Sequence, residues 1–150
     1  ASGSTKGTGA SKNSGIVTTV KGLANSISYA DLADVMTAKL SYASIQNGAG
    51  QYIKPTVAAS GRFLAANTVS SNGEVVFDYK KKVTGGYNLT LVAYGLAPTK
   101  SINTAKAAAV KDYFTYFLNT CAPKQAAKTG YVAVSGKLKT KALELVAKIK

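Results

Sequence analysis

Apolar residues recur along this chain in short blocks, and their spacing switches between helical and extended periods. Residues 1–12 carry no such pattern and read as an irregular Gly/Ser/Thr segment. Ile16, Val17 and Val20 then share one helical face, with Asn13 or Ser14 as the cap and Gly22 as the stop. Ser26-Ile27-Ser28-Tyr29 reads as a short strand. Asp31 opens a second helix with Leu32, Val35 and Met36 as its apolar stripe, and Asp31 and Asp34 suit the positive end of its dipole. Leu40 to Ile45 and Gln51 to Ile53 are strand-like and flank Asn47-Gly48, a strong hairpin signal. Pro55 closes that unit, and Thr56 to Ala66 reads as a helix that packs through Val57, Phe63 and Leu64.

The second half alternates more clearly. Thr68 to Gly73 reads as a polar loop, and Glu74 to Tyr79 as a strand. Tyr87 to Leu96 is long and mostly apolar, the pattern of a strand buried on both faces. Asn103 caps a predicted helix from about Thr104 to Leu118, where Val110, Tyr113, Phe114 and Phe117 fall on one face. A short helix around Pro123 to Lys128 follows, then an extended Gly130 to Val134. A last helix from about Leu138 to Ile149 carries Leu138, Ala142, Leu145, Val146 and Ile149 on one stripe. Strands and helices alternate, so the fold class is α/β. With 46% hydrophobic residues in 150, a core is affordable, yet no apolar run reaches the roughly 20 residues of a membrane span. No signal-peptide pattern opens the chain, which suggests a leader already removed or a start inside a longer protein.

Charge changes the picture. The formal net charge is +13, from 19 basic residues of which Arg62 is the only arginine. Such a field attracts anions. Scarce arginine and scattered lysines argue against nucleic acid, since bidentate phosphate and guanine contacts are mainly made by arginine. Lys80-Lys81-Lys82 is the single run, and a solvated lysine surface accounts for most of the rest. Cys121 is the only cysteine. It is either a small buried residue or one half of a bridge to a segment or partner outside this chain. The Asn88-Leu89-Thr90 sequon falls inside a predicted strand and reads as chance.

Catalytic chemistry has little to work with. The chain has no histidine, the usual base near neutral pH and the commonest metal ligand. Its six acids are dispersed and pair with no cysteine or histidine cluster, so no metal and no cofactor is expected. No serine sits in a nucleophile elbow. Ser2-Gly3-Ser4-Thr5 and Gly7-Thr8-Gly9 lack the Gly-Lys-Ser/Thr ending of a phosphate loop. The chain reads as a binding protein rather than an enzyme.

Four segments, read in order, resemble the C-terminal portion of the phosphate-binding subunits of ABC importers. Gly9-Ala10-Ser11-Lys12-Asn13-Ser14-Gly15-Ile16-Val17 resembles the family's Gly-Lys-Gly-Asn-x-Gly-Val helix start. Ser26 to Ala30 resembles its Gly-x-Ile-Gly-Tyr strand. Leu40 to Asn47 and Gly50 to Pro55 resemble Leu-x-Tyr-Ala-x-Leu-x-Asn followed by Gly-x-x-Val-x-Pro. Tyr94 to Lys100, then Gln125 to Val132, resemble its hinge strand and Gly-Tyr-x-Pro-Leu segment. The chain departs from the pattern at Ser28 and Ala133, which replace a glycine and a proline, and at Asn25-Ser26, where Pro-Gly is usual.

The resemblance implies a two-lobed, periplasmic-binding-protein-like fold that closes on its ligand by hinge motion, with this chain supplying part of each lobe. Residues 1–67 then belong to lobe two, 68–86 form the crossover and hinge region, and 87–150 return to lobe one. The segments that carry most phosphate contacts in the family are not matched. Ser2-Gly3-Ser4-Thr5 looks similar to the family's Ser-Gly-Thr-Thr element but sits too close to Asn13 to be it. The implied role is an extracytoplasmic receptor, in a periplasm or on a cell surface, where a lipoprotein form is one option. It would deliver inorganic phosphate or a similar oxyanion to an ABC permease, and it would need a missing N-terminal segment or a second chain. Helix N-termini bind oxyanions through free N–H groups, so Asn13, Ser14 and Gly15 are the candidate ligand residues, joined by Tyr29 at the end of the next strand. Ordinary capping explains the first three equally, and a half-buried tyrosine explains the fourth. A structural or adhesive surface protein on the same fold, and a lysine-mediated polyanion binder, are the alternatives.

Overall fold

The computed structural model describes residues 7–100 and 103–150. Ser2-Gly3-Ser4-Thr5 lies outside the described residues. The described residues form a mixed α and β structure of helices and two small antiparallel sheets. They fall into two units that divide between Tyr42 and Ala43.

In the first unit, α1 spans Lys12–Gly22 and α2 spans Leu32–Thr37, and the two pack together. The cap of α1 is Ser11, not Asn13 or Ser14, because Lys12 already belongs to the helix at φ 57° and Gly15 N–H closes the first turn on Ser11 O at 3.1 Å. Ser26 holds the other end: its hydroxyl donates to Leu23 O at 2.6 Å. Residues 26–29 form no strand, since no neighbouring segment offers them a ladder. Ile16, Val17 and Val20 are only half-buried, and no described residue up to Tyr42 is buried. Two short helices cannot enclose a core by themselves.

The second unit starts with the hairpin that Asn47-Gly48 predicts. β1 (Ile45–Gln46) pairs with β2 (Tyr52–Ile53), Ile45 opposite Ile53. The strands are shorter than the apolar pattern suggests, because Leu40 to Ser44 lie beyond the Ile45–Ile53 pair and have no ladder partner among the described residues; at the turn, Asn47 points inward. It is 5% exposed. Its Oδ1 accepts from Ala49 N–H at 3.0 Å and Gln51 N–H at 2.9 Å, and its Nδ2 donates to Val83 O at 3.1 Å and Gly86 O at 3.0 Å. Gly85 N–H donates to Gln51 Oε1 at 2.8 Å. Gly48 lets the two loops touch: a Cβ there would stand 2.5 Å from the carbonyl oxygens of Lys80 and Lys81.

α3 (Val57–Ala65) follows, capped by Thr56, whose hydroxyl accepts from Ala59 N–H at 3.1 Å. It buries Ala59 and Phe63, and Phe63 is fully enclosed. Phe77 stacks on Phe63 at 5.8 Å between ring centroids, and Tyr79 on Phe77 at 5.4 Å. Such aromatic pairs each contribute about 0.5–1.5 kcal/mol beyond burial. β3 (Thr68–Val69) pairs with β4 (Val75–Val76), so part of the expected polar loop is a strand. The turn between them closes at Gly73, whose φ of 86° and contact with Leu145 both exclude a side chain.

α4 (Thr104–Tyr116) starts where Asn103 predicts, its side chain accepting from Lys106 N–H at 2.9 Å. It runs on through a π turn (Phe117–Cys121), α5 (Ala122–Gln125) and a 3-10 turn (Ala126–Thr129). α6 (Gly136–Ala147) packs on α4 and β3, and Lys111 Nζ donates to Ala147 O at its C-terminal end. Two expectations fail here. Among the described residues, Tyr87 to Leu96 joins no sheet: the chain bends at Asn88 and Leu89, and its polar Asn88 and Thr90 are buried while Leu89 and Leu91 are exposed. The α4 face of Val110, Tyr113 and Phe117 is exposed as well. Asn88 spends its amide on Tyr79 O and Lys81 O, which removes the sequon from use.

Asn47→Ala leaves Gly86 O and the Ala49 and Gln51 N–H groups without partners, while Val83 O keeps only Gly86 N–H, so it should destabilise the chain by about 2–4 kcal/mol in urea unfolding. Gly48→Ala should destabilise it too, by about 1–3 kcal/mol, because the opposing atoms are backbone. A third prediction concerns pH. Burial raises the Tyr87 phenol above its usual value of 10.0. The folded state holds that proton more tightly, so the associated stability is intact below about pH 10 and is lost as pH rises through the folded value. Wild type should therefore lose stability relative to Tyr87→Phe above that point. A difference that stays constant across the alkaline range would show the phenol to be solvated.

Candidate functional site

The N-terminus of α1 borders a shallow, open surface hollow lined by Gly9, Ala10, Ser11, Lys12, Ser14, Gly15, Thr18 and Thr19. Helix geometry leaves the first N–H groups without intrahelical acceptors. Those of Lys12, Asn13 and Ser14 are in that class, whereas Gly15 N–H is spent on Ser11 O. The Ser11 side chain makes no capping bond. Among the described residues, neither it nor the Ser14 hydroxyl has a protein partner. Thr18 and Thr19 turn their hydroxyl hydrogens back onto Ser14 O and Gly15 O, at 2.9 and 3.0 Å. The Lys12 ammonium adds the only full charge on the lining, and it is positive. Backbone N–H groups, two hydroxyls and one cation together suit an oxyanion.

The sequence-predicted residues divide. Ser14 and Gly15 line the concavity. Asn13 is in the same turn, but its Nδ2 donates to Asp31 Oδ2 at 2.7 Å. It ties the start of α1 to the start of α2, and it leaves its N–H, not its amide, toward the helix end. Asp31 makes no side-chain cap to its own helix, being engaged by Asn13 instead. Tyr29 is 86% exposed and does not line the concavity. Ser11 and Lys12 were not singled out by the sequence. The signal that could have found them is the cap position itself, one turn earlier than assigned. Tyr94 is half exposed, and its hydroxyl accepts from Val75 N–H at 2.9 Å, which gives it a structural task.

Cys121 is free and half-buried. It lines a second, apolar hollow of ≈190 Å³ with Phe117, Ala122, Gln125, Ala126, Thr129 and Tyr131. Among the described residues no group of acids, histidines or cysteines is placed to hold a metal ion. No described helix is long and apolar enough to cross a membrane.

The start of α1 thus presents backbone N–H groups, two hydroxyls and one ammonium, on a mixed α and β scaffold. No protein-family model matches the chain. The chain is similar to the phosphate-binding protein PstS of Xylella fastidiosa strain Temecula1, 30% identical over 131 residues. It is 29% identical over 131 residues to the protein of the same name from strain 9a5c. Both matches cover 84% of this chain and 35% of the relative, so the chain spans about a third of their length. The similarity relates the chain to proteins named for binding, not for catalysis.

Asn13→Ala and Asp31→Ala should each lower the melting temperature slightly, by the equivalent of about 0.5–1 kcal/mol, since the pair is exposed. The double variant should be no worse than either single one. Additive losses would show that the two side chains act separately.

Proposed function

We propose that this chain is part of an extracytoplasmic solute-binding protein that captures inorganic phosphate, or an oxyanion of similar shape, for an ABC importer. The observation that carries the proposal is the similarity to two phosphate-binding proteins across most of the chain. The concavity at the start of α1 supplies a place for it. Ser11, Lys12 and Ser14 offer hydroxyls, N–H groups and one ammonium there. On this reading the chain contributes to both lobes of a hinged receptor, with residues 1–67 in one lobe and 87–150 in the other. Asn13, Gly15 and Tyr29 complete the candidate ligand set, Asn13 and Gly15 by shaping the helix start and Tyr29 by facing the ligand in the closed state. The +13 charge steers anions toward the site without choosing among them. A unit with no buried residue is not rigid enough to hold an anion tightly. The chain therefore binds through its partner segment.

Calorimetric titration with phosphate tests this on a single polypeptide that joins the unmatched part of the Temecula1 relative to this chain. Micromolar binding is expected, and Lys12→Ala with Ser14→Ala should weaken it by about tenfold. No heat at micromolar protein counts against phosphate. A second reading rests on the exposed Lys80-Lys81-Lys82 run. Binding to heparin that falls steeply with salt, unaffected by the α1 variants, would favour polyanion capture instead.

A further inference from the structure

The sequence holds two Asn-Gly pairs, and the fold treats them in opposite ways. Asparagine is thermolabile because the amide nitrogen of the next residue can attack its side-chain carbonyl. Glycine obstructs that attack least, since it has no Cβ. At Asn47-Gly48 the attack is held off. Asn47 is 5% exposed, its Nδ2 is bound to Val83 O and Gly86 O, and its Oδ1 to Ala49 N–H and Gln51 N–H. Gly48 is wedged against the carbonyls of Lys80 and Lys81. Neither the side-chain amide nor the next nitrogen swings without opening both loops.

Asn72-Gly73 is the reverse case. It lies in the turn between β3 and β4, and Asn72 is exposed. Among the described residues its Nδ2, the leaving group, donates to no protein acceptor. Its Oδ1 accepts from the Ser70 hydroxyl and from Glu74 N–H, the latter at 3.3 Å. Both donors point at the oxygen that turns negative when the side-chain carbon becomes tetrahedral. The nucleophile, Gly73 N, is held by one turn bond to Ser70 O at 3.1 Å. Releasing one turn bond costs far less than opening the buried network around Asn47.

We propose that Asn72-Gly73 is a site of spontaneous deamidation, and that its isoaspartyl product unseats the β3–β4 turn from α6. Gly73 N loses its proton to hydroxide and bonds to Asn72 Cγ. The Cγ–Nδ2 bond breaks, and Nδ2 leaves as ammonia. Water then opens the cyclic imide at either carbonyl. One opening gives aspartate, with the main chain unchanged. The other gives isoaspartate, whose main chain passes through the side-chain carbons and gains a methylene. The turn has no slack for it. Gly73 has φ 86°, and a Cβ there would stand 2.5 Å from Leu145 Cδ1 and 3.9 Å from Lys141 Cγ, both on α6. The added methylene has to displace either the Val69–Val75 pair or Leu145. This chemistry is independent of the anion the protein binds.

Peptide mapping by mass spectrometry, after incubation in mildly alkaline buffer, follows both pairs, because trypsin cuts after Lys54 and Lys80 and so separates them. A gain of about 1 Da should appear at Asn72 at least about tenfold faster than at Asn47. In urea strong enough to unfold the chain, the two rates should converge to within about threefold, since the protection of Asn47 belongs to the fold. Asn72→Gln, which forms the cyclic imide poorly, should lose the gain. The isoaspartyl form, separated by chromatography, should melt at least about 3 °C below wild type. Asn72→Asp copies the other product and should melt with wild type. Equal rates in the folded chain, rates that stay unequal in urea, or a gain that persists in Asn72→Gln each overturn the assignment of the site. An isoaspartyl form that melts with wild type overturns its effect on the turn.

Discussion

Asn47 makes the second unit possible. A hairpin of two two-residue strands is too small to stand by itself. What fixes it is one buried amide that satisfies two N–H groups of its own turn and two carbonyls more than thirty residues away. Gly48 admits the Lys80 and Lys81 carbonyls to the same spot, and Gln51 takes the Gly85 N–H. The loop so held leads directly into Tyr87, whose N–H donates to Ala59 O in α3 at 3.1 Å. Polar contacts therefore place α3, the aromatic stack under it and the start of the 87–96 run in one frame. The amide works here because both of its ends are used; a side chain with only donors or only acceptors could not bridge the two loops.

Around that frame, burial is uneven. Phe63, Phe77 and Tyr79 stack in one place, and α4 to α6 bury Ala107, Leu118, Ala122 and Ile149 in the helical region. Elsewhere large apolar groups meet solvent. No described residue of the first unit is fully buried. The same distribution bears on function. The concavity at α1 has the donors an oxyanion needs but lies on the least enclosed part of the chain, where charge–dipole interactions are screened by water.

The chemistry is that of hydrogen-bond donors. With no histidine and acids that are few and dispersed, the chain offers backbone N–H groups, hydroxyls and lysines. Such groups donate hydrogen bonds and positive charge, the chemistry an oxyanion accepts. The similarity to proteins named for phosphate binding points the same way, from independent information.

Much of this was legible from local sequence, for a physical reason. Asn47-Gly48 makes its turn from adjacent residues, and Thr56 and Asn103 cap helices through bonds to N–H groups three residues on. The absence of histidine was equally a property of composition. Other features depend on partners distant in sequence. Thr68–Val69 became a strand because Val75–Val76 lies beside it. Asn13 is committed to Asp31, which no spacing rule would pair with it. The run from Tyr87 to Leu96 has the residues of a central strand, and the sequence read it as one. Whether such a run joins a sheet is decided by the main chain beside it, and among the described residues no strand pairs with it.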